Sequence, residues 1–64
     1  MKLKELLPYI GKAELIQVYY PEYDSYGEYF DFDQPRLLKD SGNRLVKEIT
    51  EWNGYIKIEL EEEE

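Results

Sequence analysis

The segment ITEWNGYIKIEL, Ile49 to Leu60, decides how this chain is read. Leu45, Ile49 and Trp52 are spaced as one helical stripe that would stop at Asn53-Gly54. The same Asn-Gly pair is the strongest short-range hairpin signal, because a two-residue type I′ turn needs positive φ at both positions. Such a turn pairs Trp52 with Tyr55, Glu51 with Ile56, Thr50 with Lys57 and Ile49 with Ile58. Ile49, Ile56 and Ile58 then share one face, and Trp52 stacks on Tyr55 as a favourable cross-strand pair. We take the hairpin reading for Arg44 to Leu60.

Working outward, the closing hairpin needs something to pack against. KLKELLPYI places Leu3, Leu6, Leu7 and Ile10 on one helical stripe. Pro8 lacks an N–H and crowds the preceding turn, so the helix is expected to be short or kinked, with Gly11 as its stop. ELIQVYY, Glu14 to Tyr20, alternates as a strand, and Pro21 ends it or marks an edge. PEYDSYG supplies turn chemistry. GEYFDF resumes as a strand, so Glu14 to Asp33 reads as a long β-hairpin, with Phe30 and Phe32 pointing to the core and Tyr29, Asp31 and Asp33 pointing outward. DQPRLL opens a short helix: Asp33 caps it, Pro35 suits its first turn, and Leu37 and Leu38 anchor it. The fold class expected is α+β: a small antiparallel sheet of about four strands in two hairpins, with an N-terminal helix and a short middle helix. Residues 1–60 form one domain, and the acidic tail 61–64 is expected to be disordered.

Composition limits the function classes. The chain has 64 residues, no Cys and no His, and a net charge of −7. A domain of this size holds one small core and a modest stability. Absence of cysteine removes disulfides and thiolate metal sites and fits a reducing cytosol. No signal peptide or apolar run of membrane-spanning length is visible. The negative charge is repelled by nucleic acid and anionic lipid, and is attracted to basic surfaces, many of which belong to proteins that handle nucleic acid.

Catalytic constellations are sparse. Without His or Cys, Ser-His and Cys-His pairs cannot form within the chain. Ser25 and Ser41 lie near glycines in turn-forming segments, and no phosphate-binding glycine motif is present. Paired carboxylates abound, yet glycosidase-type chemistry needs two fixed across a cleft, which a domain this small seldom builds. Counting from Glu22, acidic residues fall at positions 1, 3 and 12 of a calcium-type loop (Glu22, Asp24, Asp33), with Gly27 at position 6. Tyr26 at position 5 and Phe30 at position 9 do not fit it. We expect a non-catalytic protein with no metal and no cofactor.

What remains is YYPEYDSYGEYFDFD, Tyr19 to Asp33, which holds seven of the ten aromatic residues, five carboxylates and no cation. Strand propensity and solubility account for part of this pattern. They account poorly for Tyr23 and Tyr26 in the loop. Tyrosine brings area, a hydrogen bond and few rotors to an interface. Asp31 and Asp33, about 6.6 Å apart along one strand face, would imitate a row of phosphates. The candidate partner-binding residues are Glu22, Tyr23, Asp24, Tyr26, Glu28, Tyr29, Asp31 and Asp33. An alternative is a structural module that self-associates through an exposed hairpin edge, giving a homodimer.

The leading KLKELLPYI, the turn with Pro35, Leu37 and Leu38, and the closing YIKIEL together resemble small acidic accessory proteins of bacterial phages and mobile elements, among them anti-CRISPR inhibitors. That resemblance spans most of the chain, and Pro8 departs from its helix pattern. It implies a viral or mobile-element origin, a place in the bacterial host cytoplasm, and an inhibitor acting as a DNA mimic in the nucleic-acid channel of a CRISPR effector nuclease. It carries over no individual site residue.

Overall fold

The computed structural model describes residues 1–10 and 15–63, and of Trp52 the backbone alone. The expected helix stop at Gly11, the strand start at Glu14, the Trp52–Tyr55 ring stack and the last tail residue therefore lie outside what is described. Helix α1 spans Leu3–Ile10, strand β1 Leu15–Tyr20, β2 Ser25–Tyr29, a 3₁₀ turn Asp31–Asp33, α2 Gln34–Ser41, β3 Val46–Trp52 and β4 Tyr55–Leu60. This is an α+β fold with a four-stranded sheet ordered β2-β1-β4-β3.

The Asn53-Gly54 turn forms as its chemistry demands, with φ of 47° and 83°. The pairs Trp52 with Tyr55, Glu51 with Ile56, Thr50 with Lys57 and Ile49 with Ile58 all occur. Ile56 and Ile58 are buried, but Ile49 is 44% exposed because β3 is an edge strand.

The sheet is mixed, which corrects the expected antiparallel arrangement. β1 pairs antiparallel with β2 and parallel with β4. The reason is the single helix between the two hairpins. β2 runs back along β1, α2 traverses the molecule once, and β3 therefore starts at the end where β1 finishes. β4 then runs alongside β1 in the same direction. Composition sets which strands are central: LIQVYY and YIKIEL are the more apolar and lie inside, while SYGEY and VKEITEW lie at the edges.

Both helices lie on one face. Leu3, Leu6 and Leu7 of α1 and Leu37 of α2 bury with Ile16, Val18, Tyr29, Ile56, Ile58 and Leu60 of the sheet. At the start of α1, the free N–H groups of Leu3 and Lys4 donate to Arg44 O at 2.8 Å and Gly42 O at 2.9 Å. The Glu5 carboxylate accepts from the Lys2 N–H at 2.9 Å, one half of a capping box. Pro8 is accommodated inside the eight-residue helix.

The second strand of the first hairpin differs from expectation. β2 ends at Tyr29, and Tyr29 rather than Phe30 points to the core: Tyr29 is 9% exposed, Phe30 47% and Phe32 79%. Phe30 and Phe32 are therefore surface residues, and Asp31 and Asp33 sit on a 3₁₀ turn instead of sharing a strand face. The space that fixes this parity is at Gly27. A Cβ there would lie 2.9 Å from Tyr29 Cε2 and 3.3 Å from Tyr20 Cε2, so glycine opposite Val18 is what lets both rings fold over the covered face.

Candidate functional site

The first hairpin builds its tip from local bonds. Pro21 sits inside a turn closed by the Tyr23 N–H donating to Tyr20 O at 3.1 Å, and the Asp24 N–H donates to Pro21 O at 3.2 Å. Asp24 adopts a left-handed φ of 48°. Its carboxylate accepts a 2.6 Å hydrogen bond from the Tyr19 hydroxyl. That bond to a carboxylate pushes the Tyr19 hydroxyl up to about 12. On the face away from the helices, the Tyr26 ring packs on Tyr19 with centroids 4.9 Å apart, and Lys57 Nζ lies 5.0 Å from the Tyr26 centroid.

Two of the eight candidate residues are taken up by the fold. Glu22 meets Arg44: Oε2 accepts a hydrogen bond from Nη2 at 2.9 Å, and Oε1 lies 2.8 Å from Nη1 as a charge contact without hydrogen-bond geometry. Both side chains are mostly covered. The Arg44 hydrogen bond holds the Glu22 carboxyl below its ordinary range, and the same bond raises the Arg44 guanidinium. Tyr29 is buried; its hydroxyl lies 3.0 Å from that of Tyr20, which in turn lies 2.9 Å from Ser41 Oγ. Burial first, and the Tyr20 bond second, push the Tyr29 hydroxyl up to about 12.

The other six stay near the surface. Tyr23, Asp24, Tyr26, Glu28 and Asp31 are exposed. Asp33 is half-buried, accepts from the Phe30 N–H at 3.1 Å, and lies 3.8 Å from Arg36. Asp31 accepts from Gln34 Nε2 at 3.3 Å. These bonds hold the 3₁₀ turn and present Phe30 and Phe32 stacked with centroids 5.7 Å apart. The expected strand through Phe32 places both rings in the core. The signal against that was DFD itself, since Asp is disfavoured in strands and favoured in turns.

The arrangement is an edge. Along β2 and its flanking turns run the exposed rings Tyr23, Tyr26, Phe30 and Phe32, interleaved with Asp24, Glu28 and Asp31. No Lys or Arg occurs between Ala13 and Pro35 in sequence. The carboxylates of the calcium-loop spacing do not converge: Glu22 turns to Arg44, Asp24 to Tyr19 and Asp33 to the Phe30 amide. Among the described residues, no group of three or more His, Cys, Asp or Glu is placed to hold a metal ion, and no helix is long and apolar enough to cross a membrane.

A second acidic element approaches the hairpin tip. Parallel pairing sets Tyr19 beside Glu59, so the chain leaving β4 runs past the β1–β2 turn. The Glu61 N–H donates to Leu45 O at 2.8 Å, Arg44 Nη2 donates to Glu61 O at 3.0 Å, and Arg44 Nη1 lies 3.4 Å from Glu63. One arginine thus links the turn and the tail.

Fold and surface together define a small acidic α+β protein with a mixed sheet covered by helices on one face. Comparison with known proteins found no matching family model, no matching curated protein and no matching solved structure.

Proposed function

We propose that this protein is a non-catalytic binding protein that occupies a basic, nucleic-acid-handling surface of a protein partner and inhibits it by competing with the nucleic acid. The observation that carries this reading is the set of four exposed aromatic rings interleaved with carboxylates along β2 and its turns, in a stretch of sequence without a cation, beside which the fold places Lys57 over Tyr26 and Arg36 near Asp33. Exposed rings of this kind are anchors for an interface, and the carboxylates supply charge complementarity, which governs encounter and partner choice. Glu22 and Tyr29 support the strip from within and Asp33 is engaged by the Phe30 amide and Arg36, so the contacting residues are Tyr23, Asp24, Tyr26, Glu28 and Asp31, joined by Phe30 and Phe32. The resemblance to phage and mobile-element inhibitors makes a CRISPR effector nuclease the first partner to examine.

The test is capture of partners from a bacterial lysate at low salt, followed by displacement of nucleic acid from whichever protein is retained. The expected result is a nucleic-acid-binding protein released at high salt, because exposed charge pairs are screened over about 8 Å at physiological ionic strength. A triple variant, Asp24→Asn with Glu28→Gln and Asp31→Asn, should neither retain it nor displace its nucleic acid. Equal retention by that variant, or retention without displacement, overturns the reading.

A further inference from the structure

The two edges of the sheet are not equivalent. β3 carries an irregularity between Val46 and Glu48, and its residues include Lys47, Glu48 and Glu51. Bulges and edge charges, lysine above all, are devices that keep an edge strand from pairing with another chain. β2 has neither bulge nor lysine nor proline: its five residues pair in unbroken register with β1, from Tyr20 with Ser25 to Ile16 with Tyr29. Among the described residues β2 pairs with β1 alone, which leaves its other side without a strand neighbour.

We infer that β2 is the edge to which a partner's extended segment adds as a fifth strand. This rests on the proposed binding of a basic protein surface and specifies its mode. Five residues extend about 16 Å, enough for a short added strand whose affinity comes from main-chain bonds and whose selectivity comes from alternate side chains. On the face away from the helices, the added strand meets Tyr26 and Glu28. A Lys or Arg opposite Glu28 and a β-branched or aromatic residue opposite Tyr26 are the complementary choices. Charge decides against a second copy as the occupant. β2 carries Glu28, is flanked by the exposed Asp24 and Asp31, and has no Lys or Arg of its own, so two such edges would bring like charges to one seam.

The probe is a short synthetic peptide alternating lysine with valine, in two forms: one with free amides, and one N-methylated at two adjacent central amides so that a donor is lost on each edge. Both carry the same charge. Binding is read by hydrogen exchange and amide chemical shifts of the folded protein. The free form should bind and slow exchange on β2, and the methylated form should bind at least about tenfold more weakly, the loss expected for one missing hydrogen bond plus the steric block. Equal binding of the two forms overturns strand addition while leaving the acidic-surface reading standing. Failure of both at low salt overturns both readings. Protection on β3 in place of β2 overturns the edge assignment. So does β2 protection that grows with protein concentration in the absence of peptide, which would give the edge to a second copy.

Discussion

The parity of β2 makes opposite demands on neighbouring aromatic residues, so truncating each in turn is a direct test. Tyr29 is 9% exposed and packs in the core cluster, whereas Phe32 is 79% exposed. Removing a buried aromatic ring costs about 3–5 kcal/mol. A chain of 64 residues has roughly 3–10 kcal/mol of stability in total. Tyr29→Ala should therefore leave the protein marginal or unfolded. Tyr29→Phe keeps the ring and loses the hydroxyl bond to Tyr20, worth about 1 kcal/mol, which lowers Tm by about 4–8 °C in a domain this small. Phe32→Ala removes a ring that contributes little burial and should shift stability by no more than about 0.5 kcal/mol. Urea titrations followed by far-ultraviolet circular dichroism measure all three. A Phe32→Ala variant as unstable as Tyr29→Ala would show that the strand is in the other parity, with Phe30 and Phe32 inside, and the surface argument built on those rings would fail with it.

Further outcomes follow from the same geometry. Gly54 has φ of 83°, so Gly54→Ala should destabilise by about 1–2 kcal/mol in the same titration, whereas a helix through this segment would be stabilised by it. The Glu22 carboxyl is held low by the Arg44 hydrogen bond, so its contribution is present above the ordinary value of 4.5 and is lost as pH falls below it; Arg44→Met should lower stability near neutral pH and flatten this acid limb in thermal melts. Tyr29 is pushed up to about 12 from 10.0, so its contribution is intact below pH 10 and is lost between pH 10 and about 12. Tyr19, raised by Asp24, titrates in the same window, so Tyr29→Phe should shrink the alkaline limb without abolishing it.

Much of the fold was legible because its determinants are local. Asn53-Gly54 specifies its own turn, and the turn dictates the pairing of the residues on either side. Leu3, Leu6 and Leu7 fall on one helical face, and Pro35 with Leu37 places the second helix, each within a turn or two of chain. The first hairpin was legible as a hairpin, but its parity was not. YFDF allows either Tyr29 or Phe30 inward by alternation alone, and the choice rests on room beside Gly27 for the Tyr20 and Tyr29 rings. The candidate site changed at two of its eight residues, Tyr29 and Glu22, and gained two rings. Tyr29 moved inside, Phe30 and Phe32 moved outside, and Glu22 was drawn to Arg44, a residue 22 positions away.

The sequence by itself determined the helices, the closing hairpin, the excess of negative charge and its concentration beside aromatic rings in one segment, because propensity, turn chemistry and charge act over a few residues. Only the tertiary structure decided that β1 and β4 lie side by side and parallel, that β2 is left as the less guarded edge, and that the acidic tail meets the hairpin tip across Arg44. These depend on how many times the chain crosses the molecule and on which strands bury best at its centre, and no short window of sequence contains either quantity.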